Sequence, residues 1–214
     1  MRPALVIFDC DGVLVDSEPI TTRMLAEDLT AHGLPISIAE CNELFVGGTI
    51  AAVEERASAM GARLPADWVQ RFYDRMVDTL SREVTIIPGI ADVLDRLDGA
   101  EVPYCVASNG PMRKMEATLG STGLWDRMAG RIYSAHDVGV AKPDPGLFLQ
   151  AARSMDHPAP ASVVIEDSVS GVRAAAAAGM RCLGYARDTP AEKLSQYGAE
   201  TFEDMVDLPA MLSL

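Results

Sequence analysis

The chain has 214 residues, 49% of them hydrophobic, and a formal net charge of −13. That length allows one or two domains with a sizeable core. The acidity disfavours nucleic acid and anionic membrane surfaces as partners, and no apolar stretch approaches the roughly 18 residues of a membrane-spanning helix.

The first element begins almost at once. Met1-Arg2-Pro3 lacks the layout of a signal peptide, and Ala4-Leu5-Val6-Ile7-Phe8 is an unbroken apolar run. Such a run reads as a strand of a parallel sheet, buried on both faces. It ends in Asp9-Cys10-Asp11-Gly12-Val13-Leu14. In open α/β sheets, chemistry gathers beyond the carboxyl ends of the strands. Two carboxylates delivered there repel each other unless a cation or a shared proton relieves them. Gly12 allows a sharp turn and a close approach of a ligand to the backbone. A solvated turn would use the same residue types.

After Leu14 the periodicity becomes helical. Residues 19–33, 50–60 and 65–83 have helical spacing, broken at Gly33-Leu34-Pro35, Gly47-Gly48 and Gly61. No core-type strand returns until Tyr104. From there helices and strands alternate: helix 89–98, strand 103–107, helix 111–122, strand 131–134, helix 145–154, strand 162–166, helix 169–178 and strand 181–185. The alternation predicts a parallel sheet with right-handed crossovers. In the Ala-rich helix near 173–178, Asp167 or Ser168 is the expected N-cap and Gly179 follows the end. Three further strand-like runs lead into polar clusters: Ser108-Asn109-Gly110-Pro111, Lys142-Pro143-Asp144-Pro145, and Glu166-Asp167-Ser168.

The ordered set Asp9-x-Asp11-Gly12-Val13-Leu14-x-Asp16-Ser17-Glu18, Ser108-Asn109-Gly110, Lys142-Pro143 and Glu166-Asp167-Ser168-x-x-Gly171 resembles the haloacid dehalogenase-like hydrolases, in the branch with a helical cap after the first motif. The resemblance covers essentially the whole chain. It is strongest toward bacterial sugar-phosphate phosphatases, particularly those acting on 6-phosphogluconate, and toward β-phosphoglucomutase-like proteins. It implies an α/β fold with a Rossmann-like core in residues 1–15 and 85–214, helices on both faces of the sheet, and an inserted all-helical cap in residues 16–84.

The same resemblance implies a Mg²⁺-dependent phosphatase acting on small phosphorylated metabolites, sugar or sugar-acid phosphates such as 6-phosphogluconate. Asp9 is the expected nucleophile, giving an aspartyl phosphate that splits one hard step into two. Asp11 is the expected general acid and then base. The Mg²⁺ ligands would be the Asp9 carboxylate, the Asp11 backbone carbonyl and Asp167, with Glu166 as a further ligand or as support for the others. Lys142 would neutralise the phosphate and the nucleophile. Ser108 and Asn109 would hold the phosphate where Gly110-Pro111 opens a helix, with Gly12 beside them. Asp16 is expected to orient the hinge.

Substrate choice is expected in the cap, where the Gly47-Gly48-Thr49 tip can enter the site as the cap closes; Gly48 and Thr49 are the candidate contacts. Arg23, Arg113 and Lys114 could meet a second anionic group, though each alone reads as a surface charge. His32, His136 and His157 are isolated and form no ligand spacing. Cys10, Cys41, Cys105 and Cys182 are scattered and read as buried residues of a reducing cytoplasm. A monomer or weak dimer is expected.

Three rival activities lie close by. The mutase branch carries His where this chain has Thr21, and a cap Arg where it has Ile50; both departures favour net hydrolysis. A dehalogenase would lack Asp11 and the Glu166-Asp167 pair. Phosphonate hydrolysis would use a cap Lys, and there is none between residues 17 and 84. A non-catalytic phosphate- or partner-binding protein would have lost Asp9, Asp11 or Lys142.

Overall fold

A computed structural model describes residues 2–45 and 49–214. In chain order its elements are β1 (Leu5–Phe8), α1 (Glu18–Ala31), α2 (Ile38–Phe45), α3 (Ile50–Ala59), α4 (Trp68–Glu83), α5 (Ile90–Gly99), β2 (Tyr104–Ser108), α6 (Met112–Ser121), α7 (Trp125–Met128), β3 (Ile132–Ser134), α8 (Ala135–Val138), α9 (Gly146–Ser154), β4 (Ser162–Glu166), α10 (Val169–Ala177), β5 (Arg181–Tyr185), α11 (Ala191–Ser195), β6 (Glu200–Phe202) and α12 (Leu208–Met211).

The strands form one parallel sheet in the order β3-β2-β1-β4-β5-β6. The chain therefore builds outward from β1 in one direction, then returns and builds outward in the other. β1 sits at that switch, with β2 and β4 as its neighbours. Phe8 pairs with Val106 on one side and Ile165 on the other. One residue further on, Asp9 leaves the sheet between the ends of β2 and β4.

Strand pleating sends alternate residues to opposite faces, and the core divides accordingly. Leu5, Ile7, Cys105, Ala107, Val164 and Cys182 pack with α9, α10 and α11. Val6, Phe8, Tyr104, Val106, Val163 and Ile165 pack with α5, α6 and α12. Both faces are covered, which is why β1, β2 and β4 read as continuous apolar runs rather than alternating ones. All four cysteines are buried and unpaired. In α10 the small Ala174 and Ala175 lie against the sheet, Ser168 is the N-cap and accepts from Gly171 N–H at 3.0 Å, and Gly179 follows with φ +69°.

Helices α1–α4 fill the interval between β1 and α5. α4 lays a stripe of Trp68, Phe72, Met76 and Leu80 inward; this i, i+4, i+8, i+12 spacing is one face of a helix. The rings of Trp68 and Phe72 stack at 5.3 Å. Asp28 on α1 ties the helices together. It is buried, accepts from Trp68 Nε1 at 2.5 Å, and pairs with Arg75 on α4. Asp28→Ala should leave the Trp68 N–H buried without an acceptor, a loss of about 2–3 kcal/mol. For a chain of this size that is a fall in Tm of roughly 4–12 °C by thermal denaturation.

The two connections to this helical insert run side by side. Asp16 N–H donates to Thr85 O at 2.8 Å, and Ile87 N–H to Leu14 O at 3.0 Å. Val15 and Ile86 form an antiparallel bridge.

Six described elements lie outside the expected pattern: α2, α11, β6 and the four-residue helices α7, α8 and α12. α2 has only eight residues, so its Ile38-Cys41-Phe45 spacing spans about two turns. β6 is a three-residue edge strand paired only to β5. The short α11 buries a single residue, Leu194.

Candidate active site

The polar clusters of β1, β2 and β4, with Lys142 from the α8–α9 connection, converge above the sheet. Lys142 is buried. Its Nζ donates to Asp9 Oδ1 at 2.7 Å and to Glu166 Oε1 at 2.6 Å, and it lies 4.9 Å from the centre of the Phe148 ring. One ammonium thus joins carboxylates far apart in sequence. Their negative charge holds the Lys142 pKa above its ordinary value, although burial opposes this.

Glu166 is fully buried, and both its oxygens are used. Oε2 accepts from Ser168 N–H at 2.9 Å and from Ser168 Oγ at 2.8 Å. Gly171 explains why this fits: a Cβ there would lie 1.8 Å from the Glu166 carboxyl carbon. Gly12 does the same for Asp167. It has φ +74°, and a Cβ would lie 2.1 Å from Asp167 Oδ2.

Asp11 is organised separately. Its Oδ1 accepts from Ser17 Oγ at 2.5 Å and pairs with Lys114 Nζ at 2.8 Å. Burial would raise its pKa, but Lys114, by charge and hydrogen bond, and the Ser17 hydroxyl outweigh burial and lower it. Asp9 moves the opposite way. Burial, with the charges of Glu166 and Asp11, raises it to about 7 against the pull of Lys142. Asp167 is raised well above the carboxylate range by burial, Glu166 and Asp9.

Ligand atoms of Asp9, Glu166 and Asp167 lie within 4.8 Å of one another. Among the described residues Asp167 has no hydrogen-bond or ion-pair partner, and Lys142 is the sole cation paired with this group. An all-oxygen donor set carrying surplus negative charge fits a hard divalent cation such as Mg²⁺. Asp167 and the second oxygen of Asp9 could hold it, since both oxygens of Glu166 are occupied with Lys142 and Ser168.

At the end of β2, Ser108 Oγ accepts from Gly110 N–H at 3.0 Å. Asn109 reaches across to Lys142: its Oδ1 accepts from Lys142 N–H at 2.9 Å, and its Nδ2 donates to Lys142 O at 3.3 Å. The Asn109 side chain therefore fixes the lysine loop. Ser108 and Asn109 both line a cavity of about 140 Å³ with Asp9, Asp11, Lys142 and Asp167. Thr49 also lines it and caps α3, accepting from Ala52 N–H at 3.2 Å. Gly48 lies outside the described residues.

Of the three basic residues considered for a second anionic group, Arg23 pairs with Glu83 at 2.7 Å and Arg113 pairs with Asp74; neither lines the cavity. Lys114 does. It is buried against Asp11 rather than solvated, which corrects its reading as a surface charge. Its signal was positional: Lys114 shares the buried stripe of α6 with Thr118. Ser17, which stands in the sequence only as one member of the Asp16-Ser17-Glu18 motif, is a hydrogen-bond partner of Asp11. Asp16 pairs with Arg187 at 2.8 Å, beside the paired connections to the insert.

A family model for haloacid dehalogenase-like hydrolases matches residues 3–179. The chain belongs to that family. Among haloacid dehalogenase-like relatives, the 6-phosphogluconate phosphatase of Escherichia coli K12 is 28% identical over 98% of this chain and 95% of its own. A conserved protein of unknown function from Agrobacterium tumefaciens superposes with a TM-score of 0.87 at 37% identity, covering 98% of this chain and 97% of that one. A family hydrolase from Deinococcus radiodurans, solved with bound phosphate and sodium, superposes with a TM-score of 0.83 at 30% identity, covering 99% and 96%.

Proposed function

We propose that the protein is a Mg²⁺-dependent phosphatase of small phosphorylated metabolites, working through an aspartyl phosphate on Asp9. One observation carries this reading: a buried carboxylate at the carboxyl end of β1, held by Lys142 and facing the cavity among carboxylates with charge to spare. The names of the phosphatase relative and of the phosphate-bound neighbour support it.

In this reading an Asp9 carboxylate oxygen bonds to phosphorus as the bond to the leaving oxygen breaks. Lys142 offsets the negative charge gathered there and fixes the Asp9 carboxylate in place. Ser108 and the backbone N–H groups after β2 take phosphoryl oxygens. Asp11 passes a proton to the leaving alcohol, then takes one from the water that attacks the intermediate. A dianionic phosphate arriving beside Asp11 raises its pKa and so favours its protonated form. Mg²⁺, when bound, supplies the positive charge that keeps Asp9 ionised and lets an anionic phosphate approach it. Residues 16–84 act as the cap over this site.

Hydrolysis rather than phosphoryl return to sugar agrees with the cavity wall. Thr21 and Ile50 both line it, and they offer neither a base nor a cation. Phosphorus NMR with β-glucose 1-phosphate should show free phosphate rather than glucose 6-phosphate; rapid isomerisation would promote the mutase.

The metal is tested with p-nitrophenyl phosphate. Phosphate release should require Mg²⁺ and stop in excess chelator. Asp167→Ala should raise the Mg²⁺ needed for half-maximal rate by about tenfold or abolish activity, because a hard anionic ligand is gone. Full activity in chelator would overturn the reading.

A further inference from the structure

The cavity has two unlike halves. Every charged side chain lining it sits low, near the strand ends: Asp9, Asp11, Glu166 and Asp167 with Lys114 and Lys142, and Glu18 at the start of α1. The upper half comes from the helical insert and includes Leu25, Cys41, Phe45, Ile50, Val53 and Met76, with the hydroxyl-bearing Thr21, Thr22, Thr49 and Tyr73. Among the described residues no arginine or histidine lines the cavity. Residues 46–48, Val-Gly-Gly, carry no charge in any conformation.

None of the insert's arginines lines the cavity, and three of them are committed elsewhere. Arg23 pairs with Glu83 and Arg75 with Asp28, while Arg56 donates to the Leu44 carbonyl. Both lysines in the cavity are also engaged, Lys142 with Asp9 and Glu166 and Lys114 with Asp11. The lining has five carboxylates against two lysines. A divalent cation and a phosphate dianion would cancel each other's charge, so the excess of carboxylates would persist. A second anionic group on the substrate would then be desolvated against Phe45, Ile50 and Met76 with no free cation to pair it, and a buried unpaired charge is strongly disfavoured. Thr21 Oγ1, by contrast, is buried without a hydrogen-bond partner among the described residues, and Thr21 lines the same wall. A hydroxyl in that state can pair a substrate hydroxyl in either direction, donating or accepting, whereas to a carboxylate it can only donate.

We propose that the upper wall selects phosphate monoesters of uncharged alcohols, polyols and sugars, and discriminates against sugar-acid phosphates and bisphosphates. This rests on the phosphatase reading and ranks 6-phosphogluconate below its neutral counterpart.

The test compares kcat/KM within matched pairs at fixed Mg²⁺: glucitol 6-phosphate against gluconate 6-phosphate, and glycerol 3-phosphate against 3-phosphoglycerate. In at least one pair the neutral member should be preferred tenfold or more, with no pair reversed. If neither pair shows that preference, or a carboxylate ester is the better substrate, the inference falls, while phosphate release from p-nitrophenyl phosphate leaves the phosphatase reading standing. If p-nitrophenyl phosphate and all four esters are inert, both fall. Ile50→Arg places a guanidinium on the apolar wall and should shift the ratio toward the carboxylate ester by at least tenfold. A folded variant with an unchanged ratio would count against the wall as the selector. Should that variant fail to fold, the wild-type pairs decide.

Discussion

Asp9→Asn should lower turnover of p-nitrophenyl phosphate by about three orders of magnitude or more, the scale seen when a covalent nucleophile is removed. The fold should survive. Lys142 keeps Glu166 as a partner at 2.6 Å, and one of the carboxylates crowded above the sheet loses its charge. The melting temperature should therefore hold or rise. Steady-state release of p-nitrophenol with thermal denaturation of the same sample separates the two effects. A folded variant retaining a tenth of the wild-type rate would remove Asp9 from the nucleophile's role.

Gly171→Ala should be nearly as damaging, although Gly171 touches no substrate. A Cβ at that position falls on the Glu166 carboxylate, with its oxygens at 1.9 and 2.3 Å. Glu166 is buried and cannot swing into solvent, so it must release Lys142, Ser168 or both. Overpacking costs about 1–3 kcal/mol, and breaking a buried ion pair costs more. We expect a stability loss of about 3–5 kcal/mol together with a fall in kcat of at least a hundredfold, as Lys142 loses its hold on Asp9. Gly120→Ala is the control. Gly120 lies within α6 with nothing near its would-be Cβ, and Ala there should stabilise by about 0.5–1 kcal/mol. Equal behaviour of the two variants in denaturant melts would contradict the role given to Gly171.

Much of this was legible in the chain. β1, β2 and β4 are apolar because helices cover both faces of the sheet, and each ends in the polar residues that the sheet then gathers. What was not legible depends on contacts across long separations. Lys114 reads as a solvated charge until α6 sets it against Asp11. Asn109 reads as a phosphate ligand, and nothing in the sequence says that its amide also holds the backbone of Lys142. Gly171 sits in a motif, but a motif does not say which side chain fills the space a Cβ would take. For α2 a sequence signal did exist. Ser37 and Glu40 form a reciprocal cap, with Ser37 N–H donating to Glu40 Oε2 at 2.9 Å and Glu40 N–H to Ser37 Oγ at 3.2 Å. That Ser-x-x-Glu spacing marks a helix start even where apolar periodicity is too short to see.

The bridge between Val15 and Ile86 has a consequence for how such a protein can diversify. Because the intervening helices leave and return through one short ribbon, the distance their ends must span is set there, and the sheet does not feel their length. Doubling a connection between fixed ends adds only about 0.6 kcal/mol of closure entropy. Helices could be lengthened, exchanged or resurfaced in that interval while Asp9, Lys142 and Glu166 keep their mutual distances. On the function proposed above, Asp9, Asp11, Lys142 and Asp167 on the one hand and the wall that selects the substrate on the other lie in separate stretches of one chain, free to change at different rates.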